Sequence, residues 1–132
     1  MFLGRIDPLG HSLDYVSAGH DSGSLLRGSG EIGAVLASSG MPLGIFPSPP
    51  FHAGPAVPLE HGDTLLLLTD GITESTSVDG TRFGATGALA FIRSRPESTA
   101  ADLVHGLHHA ARPFAGAVPQ ADDVTLAVCR VE

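Results

Sequence analysis

The sequence predicts an α+β fold in which helices pack on antiparallel β-sheet, and three features of its pattern lead to this class. Short strand-like segments separated by turn residues fill the stretch from residue 2 to residue 36. Two helix-like segments follow each other between residues 83 and 115. A strand-like segment, VTLAVCRV, closes the chain. Runs of strands followed by runs of helices favour antiparallel sheets over alternating β-α-β units.

The composition of the chain limits its core and its partners. The 132 residues suit a single domain, and at 42% hydrophobic but 5% aromatic content its core must be aliphatic. The net charge is 7 − 14 = −7, which argues against nucleic acid or an anionic membrane as the main partner. The single cysteine, Cys129, excludes an internal disulfide and fits the reducing cytoplasm. No signal peptide begins the chain, and the longest strongly apolar run, Leu65–Leu68, is too short to span a membrane.

The first third of the chain predicts two β-hairpins. FLGRID and SLDYVSAG are joined by the turn PLGH, with Leu13 and Tyr15 on one face of the second strand and Val16 on the other. SLLR and EIGAVL are joined by the glycine-rich turn GSG. Both pairs are therefore expected to be antiparallel.

A proline-rich stretch and a buried strand follow. Residues 40–58 contain six prolines, which exclude a helix and disfavour a central strand, so an extended surface segment is expected. LEHGD then turns into the strand TLLLLT. Leucines on both of its faces require cover on both sides, which predicts a central position in a layered sheet.

Two helices and a final strand complete the predicted elements. FGATGALAFIRSR reads as a helix that stops at Pro96, and a second helix begins near Thr99, which forms a capping box with Asp102. An apolar stripe of this second helix comprises Leu103, Leu107, Ala110 and Phe114. The last segment, DDVTLAVCRVE, reads as a strand that is apolar on both faces up to Arg130.

Three motifs resemble functional sites, and simpler interpretations are favoured for each. GSGEIG has dinucleotide-binding spacing, but it runs into the proline-rich stretch instead of a helix, so a hairpin turn is expected. The histidines of HGLHHA lie opposite the apolar stripe of their helix and are expected to face solvent rather than a metal. The residues of GHDSG are neighbours on one loop and cannot generally converge as a catalytic triad.

Acidic residues stand at two strand ends. Asp70 follows LLLLT, and Asp122 and Asp123 precede VTLAV. If the two strands are antiparallel neighbours, these carboxylates meet at one edge, where they repel unless a cation such as Mg²⁺ or Mn²⁺ neutralises them. Gly71 is expected to let the backbone turn sharply just past Asp70. The residues alone leave a second interpretation equally open, in which Asp70 caps a turn and Asp122 ends a loop.

An ordered set of segments resembles a known family. The segments LDYVSAGHDSGSLLR, SSGMPLGIF, LEHGDTLLLLTDGITES, GTRFGATGAL and QADDVTLAV occur in this order over nearly the whole chain. Together they resemble the C-terminal half of a bacterial metal-dependent PPM-type protein serine/threonine phosphatase of the sporulation stage II E-like subfamily. The resemblance implies part of an α-β-β-α sandwich, with antiparallel sheets flanked by helices. It also implies hydrolysis of phosphoserine or phosphothreonine with two Mn²⁺ or Mg²⁺ ions.

The resemblance also implies roles for individual residues. The strand-end aspartate that binds metal in the family corresponds to Asp70, and the first acid of the late family motif corresponds to Asp122, with Asp123 in the neighbouring and less certain role. The AGH motif assigns His20 to substrate contact or to orienting a ligand, with packing as an equally good alternative. The G-x-PLG motif that begins at Gly40 is expected to be structural and near the site.

The sequence departs from the family pattern in one respect. Two earlier family motifs, roughly GDxxD and DxxGHG, are not in this chain, and the superficially similar DPLGHS lies in a turn, so Asp7 is not assigned to the metal site. Residues 1–132 are therefore expected to form a single incomplete phosphatase domain with weak or absent activity by itself. The alternative is a non-catalytic binding or dimerisation module derived from such a phosphatase, and an exposed sheet face would favour a homodimer.

The subfamily resemblance implies a regulatory partner. Members of this subfamily regulate sigma factors by partner switching, so the expected substrate is a phosphorylated protein such as an anti-sigma factor antagonist. The expected location is the cytoplasm, without a membrane span and without nucleic acid as a partner.

Overall fold

The computed structural model describes residues 1–47, 50–115 and 123–132, and these form two compact units. The first unit comprises Met1–Leu65 together with Val131–Glu132, and the second comprises Leu66–Arg130. Antiparallel sheets and helices make up the chain, which confirms the predicted α+β class. Among the described residues, no helix is both long and apolar enough to cross a membrane.

The strands of the first unit form the two predicted hairpins. In chain order they are β1 (Phe2–Asp7), β2 (Ser12–Ser17), β3 (Gly23–Leu26), β4 (Ile32–Leu36) and β5 (Val57–Pro58). β1 pairs with β2, and β3 pairs with β4, both antiparallel. Leu13 and Tyr15 are buried while Val16 is half-buried, as the alternation predicts. The turn GSG closes through a hydrogen bond from the Gly30 N–H to the Arg27 carbonyl at 2.8 Å, which confirms a hairpin turn rather than a dinucleotide site.

The proline-rich stretch contributes only the short strand β5. Two residues of β2, Ser12 and Leu13, pair antiparallel with Pro58 and Val57. β5 is thus an edge strand of a sheet with the order β1-β2-β5, a position in which proline costs no internal hydrogen bond. The described part of residues 40–58 contains no helix, as predicted.

The leucine-rich strand β6 (Thr64–Leu68) is the most deeply buried strand of the chain's described part. Four of its five residues are buried, which confirms the predicted cover on both faces. It lies beside the last strand, β7 (Leu126–Arg130). The Val131 N–H donates to the Asp63 carbonyl at 2.9 Å, and the Thr69 N–H donates to the Thr125 carbonyl at 3.0 Å, so the two strands run antiparallel. None of the residues of β7 is fully buried, so this strand is more exposed than its apolar sequence predicts.

Three helices belong to the second unit: α1 (Asp70–Thr73), α2 (Gly84–Arg93) and α3 (Ala100–Ala115). α2 ends before Pro96, as predicted. Leu103 and Leu107 of α3 are 0% exposed, which confirms this part of the predicted stripe. The third stripe position is Ala111 rather than Ala110: Ala111 is buried and Ala110 is half-buried, which the helical period alone does not predict. The side chain of Phe114 lies outside the described residues.

The predicted capping box at the start of α3 is present. The Asp102 N–H donates to Thr99 Oγ1 at 3.1 Å, and the Thr99 N–H donates to Asp102 Oδ2 at 3.3 Å. Replacement of Thr99 by alanine should therefore lower the free energy of unfolding by about 1 kcal/mol, the usual value of an N-cap. Urea denaturation of this variant and of Thr86→Ala, at an exposed position of α2, measures the difference. Equal stability of both variants would contradict a capping role for Thr99.

Candidate functional site

Asp70 begins α1 directly after β6, and its backbone is firmly held. Ile72, two residues later, is 0% exposed, and the Ser75 hydroxyl donates to the Gly71 carbonyl at 2.9 Å. The Asp70 side chain itself is exposed, and its carboxylate accepts no hydrogen bond from the described residues. Among the described residues, this carboxylate therefore caps no turn, and its oxygens are open to solvent.

The sequence-based expectation for Gly71 is wrong. Gly71 is buried inside the short helix and does not have the positive φ that glycine alone adopts readily. The chain leaves β6 through one helical turn rather than through a sharp glycine turn. The DGIT segment is therefore a helix start, which local sequence cannot distinguish from a β-turn because both begin with the same backbone conformation.

Thr69 joins the end of β6 to the start of β7. Its hydroxyl donates to the carbonyls of Asp123 and Thr125, each at 3.2 Å, and the Thr125 N–H donates to Thr69 Oγ1 at 2.9 Å. These bonds hold the residue before Asp70 against the segment that carries Asp123. The expected juxtaposition of the two strand ends is therefore present. Sequence reasoning did not identify Thr69, and its only signal was a hydroxyl residue at the end of an apolar strand.

The acids at this edge have the chemistry of a hard-cation site. Asp123 is exposed, as Asp70 is, and both offer the carboxylate oxygens that Mg²⁺ and Mn²⁺ prefer. Asp122, the other predicted ligand, lies outside the described residues. Within residues 1–47, 50–115 and 123–132, no group of three or more His, Cys, Asp or Glu side chains could hold a metal ion. The donor types fit a divalent cation, and two of the three predicted carboxylates belong to the described part.

His20 belongs to the first unit and contacts an aromatic pair there. Its ring meets Phe2 edge-on at 6.1 Å between centroids, and Phe2 stacks on Tyr15 at 5.4 Å. His20 Nδ1 lies 2.7 Å from the Asp21 carbonyl. These contacts explain its orientation by packing and by one local hydrogen bond.

The AGH and G-x-PLG motifs, twenty residues apart in the sequence, lie in direct contact. The Gly19 N–H donates to the Gly40 carbonyl at 3.0 Å, and Ser38 bridges the same two residues by accepting from Gly19 N–H and donating to Gly40. Gly19 has a φ of +65°, and a Cβ there would lie 2.3 Å from Pro42 Cγ. The two motifs are therefore one packed structural element, as the sequence predicts for the second of them.

The remaining candidates are a turn residue and residues on a solvent-facing helix surface. Asp7 Oδ1 accepts hydrogen bonds from the Gly10 and Leu9 N–H groups, which hold the pKa of Asp7 below its usual value and close the turn after β1. Among the helix histidines, His105 and His109 are exposed and His108 is half-buried, as predicted for the solvated face. Asp7 is thus a turn residue, consistent with its exclusion from the metal site.

Comparison with protein families gives a match over the whole chain. The family model "Stage II sporulation protein E (SpoIIE)" matches residues 1–132. A search of curated proteins gives no significant match.

Solved structures share its fold at low sequence identity. The SiaA-PP2C domain of Pseudomonas aeruginosa superposes with a TM-score of 0.83 at 22% identity, covering 99% of this chain and 51% of that one. The phosphatase domain of SpoIIE from Bacillus subtilis superposes with a TM-score of 0.75 at 17% identity, covering 100% of this chain and 56% of that one. The RsbU and RsbW domains of Rv1364c from Mycobacterium tuberculosis superpose with a TM-score of 0.67 at 22% identity, covering 96% of this chain and 34% of that one. The chain thus spans about half the length of the first two chains and about a third of the last.

Proposed function

This chain belongs to the stage II sporulation protein E family, and from that membership we propose that it forms part of a metal-dependent protein serine/threonine phosphatase. The reaction is hydrolysis of a phosphoserine or phosphothreonine ester on a regulatory partner protein. The observation that carries the proposal is the exposed Asp70 carboxylate, which accepts no hydrogen bond from the described residues, at the edge where β6 meets the segment before β7.

Similarity to phosphatase domains supports the reaction class. The PP2C and SpoIIE domains noted above share the fold over nearly the whole of this chain. The Bacillus subtilis crystals were presoaked with Mn, which agrees with the hard oxygen donors of Asp70 and Asp123. Because this chain covers about half of those domains, turnover by the chain alone is proposed to be weak or absent.

Each acid has a proposed role. Asp70 and Asp122 would hold Mn²⁺ or Mg²⁺, and Asp123 would take the neighbouring ligand position. When bound, such ions acidify a water nucleophile and neutralise negative charge on the phosphoryl oxygens. Thr69 fixes the spacing between Asp70 and the Asp123 segment through its hydrogen bonds to Asp123 and Thr125. The acidic chain, with a net charge of −7, would need such ions to receive a phosphorylated protein.

The partner is proposed from the subfamily resemblance. A phosphorylated anti-sigma factor antagonist is the expected substrate, and one of the similar structures contains RsbU and RsbW domains. The cytoplasm is the proposed location, supported by the single cysteine. His20 is proposed to contact substrate or to orient a ligand, in addition to its packing against Phe2.

Mn²⁺ binding tests the proposed ligands directly. Isothermal titration of the chain with Mn²⁺ should show binding that weakens at least about tenfold in Asp70→Asn and in Asp122→Asn, because each removes a charged oxygen ligand. Asp79→Asn is the matched control, since Asp79 is also an exposed acid of the second unit but bonds Ser77 and the Thr81 N–H instead. Unchanged Mn²⁺ affinity in Asp70→Asn would contradict the metal role.

A phosphate-release assay distinguishes the proposed phosphatase from the alternative, a non-catalytic binding module. At high protein concentration, phosphate release from a phosphoserine peptide should be slow, require Mn²⁺ and be lost in Asp70→Asn. Mn²⁺ binding without any phosphate release would favour the alternative of a non-catalytic module. Fast metal-dependent release would instead refute the expected incompleteness of residues 1–132. In the same assay, a His20→Gln variant with unchanged kinetics would leave His20 a packing role alone.

A further inference from the structure

Thr69 is the N-cap residue of α1, but its hydroxyl does not cap the helix. Its backbone is extended, with φ −92° and ψ 165°, and its side chain makes no capping hydrogen bond to α1. An N-cap threonine ordinarily accepts a hydrogen bond from the N–H of the second or third residue of its helix. Here the hydroxyl is directed across the sheet toward the start of β7, so helix capping does not account for it.

The Thr69 hydroxyl takes the place of a backbone carbonyl between the two strands. In a closely spaced antiparallel pair, two residues exchange both of their N–H···O=C hydrogen bonds. The Thr69 N–H donates to the Thr125 carbonyl at 3.0 Å, as in such a pair. The return bond runs to the side chain, because the Thr125 N–H donates to Thr69 Oγ1 at 2.9 Å. The hydrogen bonding between the strands thus continues past Leu68, the last residue of β6.

This use of the hydroxyl frees the Thr69 carbonyl for the helix. That carbonyl accepts a hydrogen bond from the Ile72 N–H at 3.2 Å, which closes the first turn of α1. One carbonyl direction cannot serve both structures, because the carbonyl lies across the strands in a sheet and along the axis in a helix. Thr69 therefore lets the chain change from strand to helix within one residue, and Asp70 becomes the first residue of α1.

The hydroxyl proton extends the same contact to Asp123. Thr69 Oγ1 donates to the carbonyls of Asp123 and Thr125, each at 3.2 Å, and these carbonyls belong to residues two positions apart. Thr69 is half-buried, whereas the side chains of Asp70 and Asp123 are exposed. One hydroxyl therefore fixes the backbone of Asp123 against the residue that precedes Asp70. The contact of Thr69 with Asp123 and Thr125 is called the Thr69 junction below.

We infer that Thr69 is a positioning residue that couples closure of the Thr69 junction to cation binding by the acids on its two sides. The inference rests on the proposed metal-binding role of Asp70 and of the segment with Asp122 and Asp123. A cation held by carboxylates of both segments resists their separation, and the Thr69 hydroxyl holds the same segments together. Each therefore favours the other, and by thermodynamic linkage the coupling is the same in both directions.

Three variants separate the hydroxyl from the shape of the side chain. Thr69→Val keeps the β-branched shape but removes the hydroxyl, whereas Thr69→Ser keeps the hydroxyl. Thr76→Val is the matched control, since Thr76 is also a half-buried residue of the second unit. Its hydroxyl donates to the Glu74 carbonyl at 2.8 Å, a bond between two residues of the same segment after α1. Circular dichroism at the titration temperature verifies that each variant is folded.

Isothermal titration with Mn²⁺ gives the first measurement. Thr69→Val should bind Mn²⁺ about tenfold more weakly than the wild type, the lower end of the range for residues that orient metal ligands. Thr69→Ser and Thr76→Val should match the wild type. A purely structural hydroxyl would change stability but not the Mn²⁺ affinity of the folded chain, so equal affinity of Thr69→Val and wild type would overturn the coupling alone. A wild-type chain that binds no Mn²⁺ would instead overturn the proposed metal site and the coupling with it.

Hydrogen exchange of the Thr125 amide gives the second measurement, which requires no variant. Because this N–H donates to Thr69 Oγ1, its exchange rate shows how often the Thr69 junction opens. Saturating Mn²⁺ should slow its exchange in the wild type by at least about tenfold, since the coupling is reciprocal. The Ser77 amide, which donates to the Thr81 carbonyl at 2.9 Å, should not change. An unchanged Thr125 rate in a chain that binds Mn²⁺, or equal slowing at Ser77, would overturn the coupling.

Discussion

Replacement of Asp63 by alanine is expected to lower the free energy of unfolding by about 3 kcal/mol, the lower end of the range for breaking a buried ion pair. Asp63 is 1% exposed, and its Oδ2 accepts hydrogen bonds from Arg27 Nη1 at 2.6 Å and from the Glu60 N–H at 2.9 Å. Alanine would remove both bonds and leave Arg27, only 23% exposed, with the Pro58 carbonyl at 3.1 Å and the more distant Glu60 carboxylate at 3.9 Å. The lower end of the range applies because Arg27 keeps some access to water.

A matched control exists elsewhere in the first unit. Arg5 and Asp14 form an ion pair of the same 2.6 Å length, but their side chains are 81% and 40% exposed. Asp14→Ala should therefore cost less than about 1 kcal/mol, as exposed pairs usually do. Urea denaturation of both variants at one protein concentration compares them. Equal losses of unfolding free energy in the two variants would mean that burial does not determine how much the Arg27–Asp63 pair contributes to stability.

The double variant Arg27→Met/Asp63→Leu tests whether the loss of stability in Asp63→Ala comes from leaving Arg27 without its partner. Replacing both partners of a buried ion pair by apolar side chains often costs less than removing one. Asp63 Oδ1 is buried without a hydrogen-bond partner in the described structure, so the native pair already carries an unsatisfied oxygen. We expect the double variant to be more stable than Asp63→Ala. Because both variants lose the Glu60 N–H bond, the reverse order would contradict the view that an unpaired Arg27 charge causes the loss in Asp63→Ala.

The Arg27–Asp63 pair fixes the start of the strand that leads to Asp70. The Asp63 carbonyl accepts a hydrogen bond from Val131 at 2.9 Å, so the same residue also sets the register of β6 against the end of the chain. Asp63 thus fixes the start of β6 within the first unit. Because Asp63 is not a proposed metal ligand, its loss should weaken Mn²⁺ binding less than Asp70→Asn does.

Gly19→Ala is expected to destabilise the first unit by roughly 2–5 kcal/mol, from a left-handed backbone and an overpacked contact together. The φ of Gly19 is +65°, and an added Cβ would lie 2.7 Å from Pro42 Cδ and 2.9 Å from Pro42 Cα. The latter is a backbone atom, so a side-chain rotation cannot relieve the contact. The packed element formed by the AGH and G-x-PLG motifs would have to separate.

The variant Gly44→Ala separates the cost of a left-handed backbone from the cost of an overpacked contact. Its φ is +87°, but nothing lies within 4 Å of an added Cβ. The conformational cost alone, about 1–2 kcal/mol, should then apply. Thermal unfolding of both variants gives the comparison. If Gly19→Ala is no less stable than Gly44→Ala, Pro42 does not restrict this position.

Much of the fold follows from local patterns in the sequence. The hairpins at residues 2–17 and 23–36 follow from alternation and glycine turns, and the start of α3 follows from the Thr99–Asp102 capping box. The helical turn at Asp70 and the exposure of β7 do not follow from such patterns, because they depend on how β6 and its neighbours are packed.

Local sequence patterns likewise predict only part of the candidate site. The sequence by itself determined which acids stand at strand ends, because strand periodicity and the order of residues are local properties. Only the tertiary structure decided how those acids differ. Asp7 is engaged by its own turn, whereas the Asp70 carboxylate accepts no hydrogen bond from the described residues and lies beside a strand end held by Thr69. The residues that hold these positions, Thr69 with Thr125 and Arg27 with Asp63, are separated by 56 and 36 positions in the chain. Pairing over such separations depends on the packing of the folded chain, which local sequence patterns do not specify.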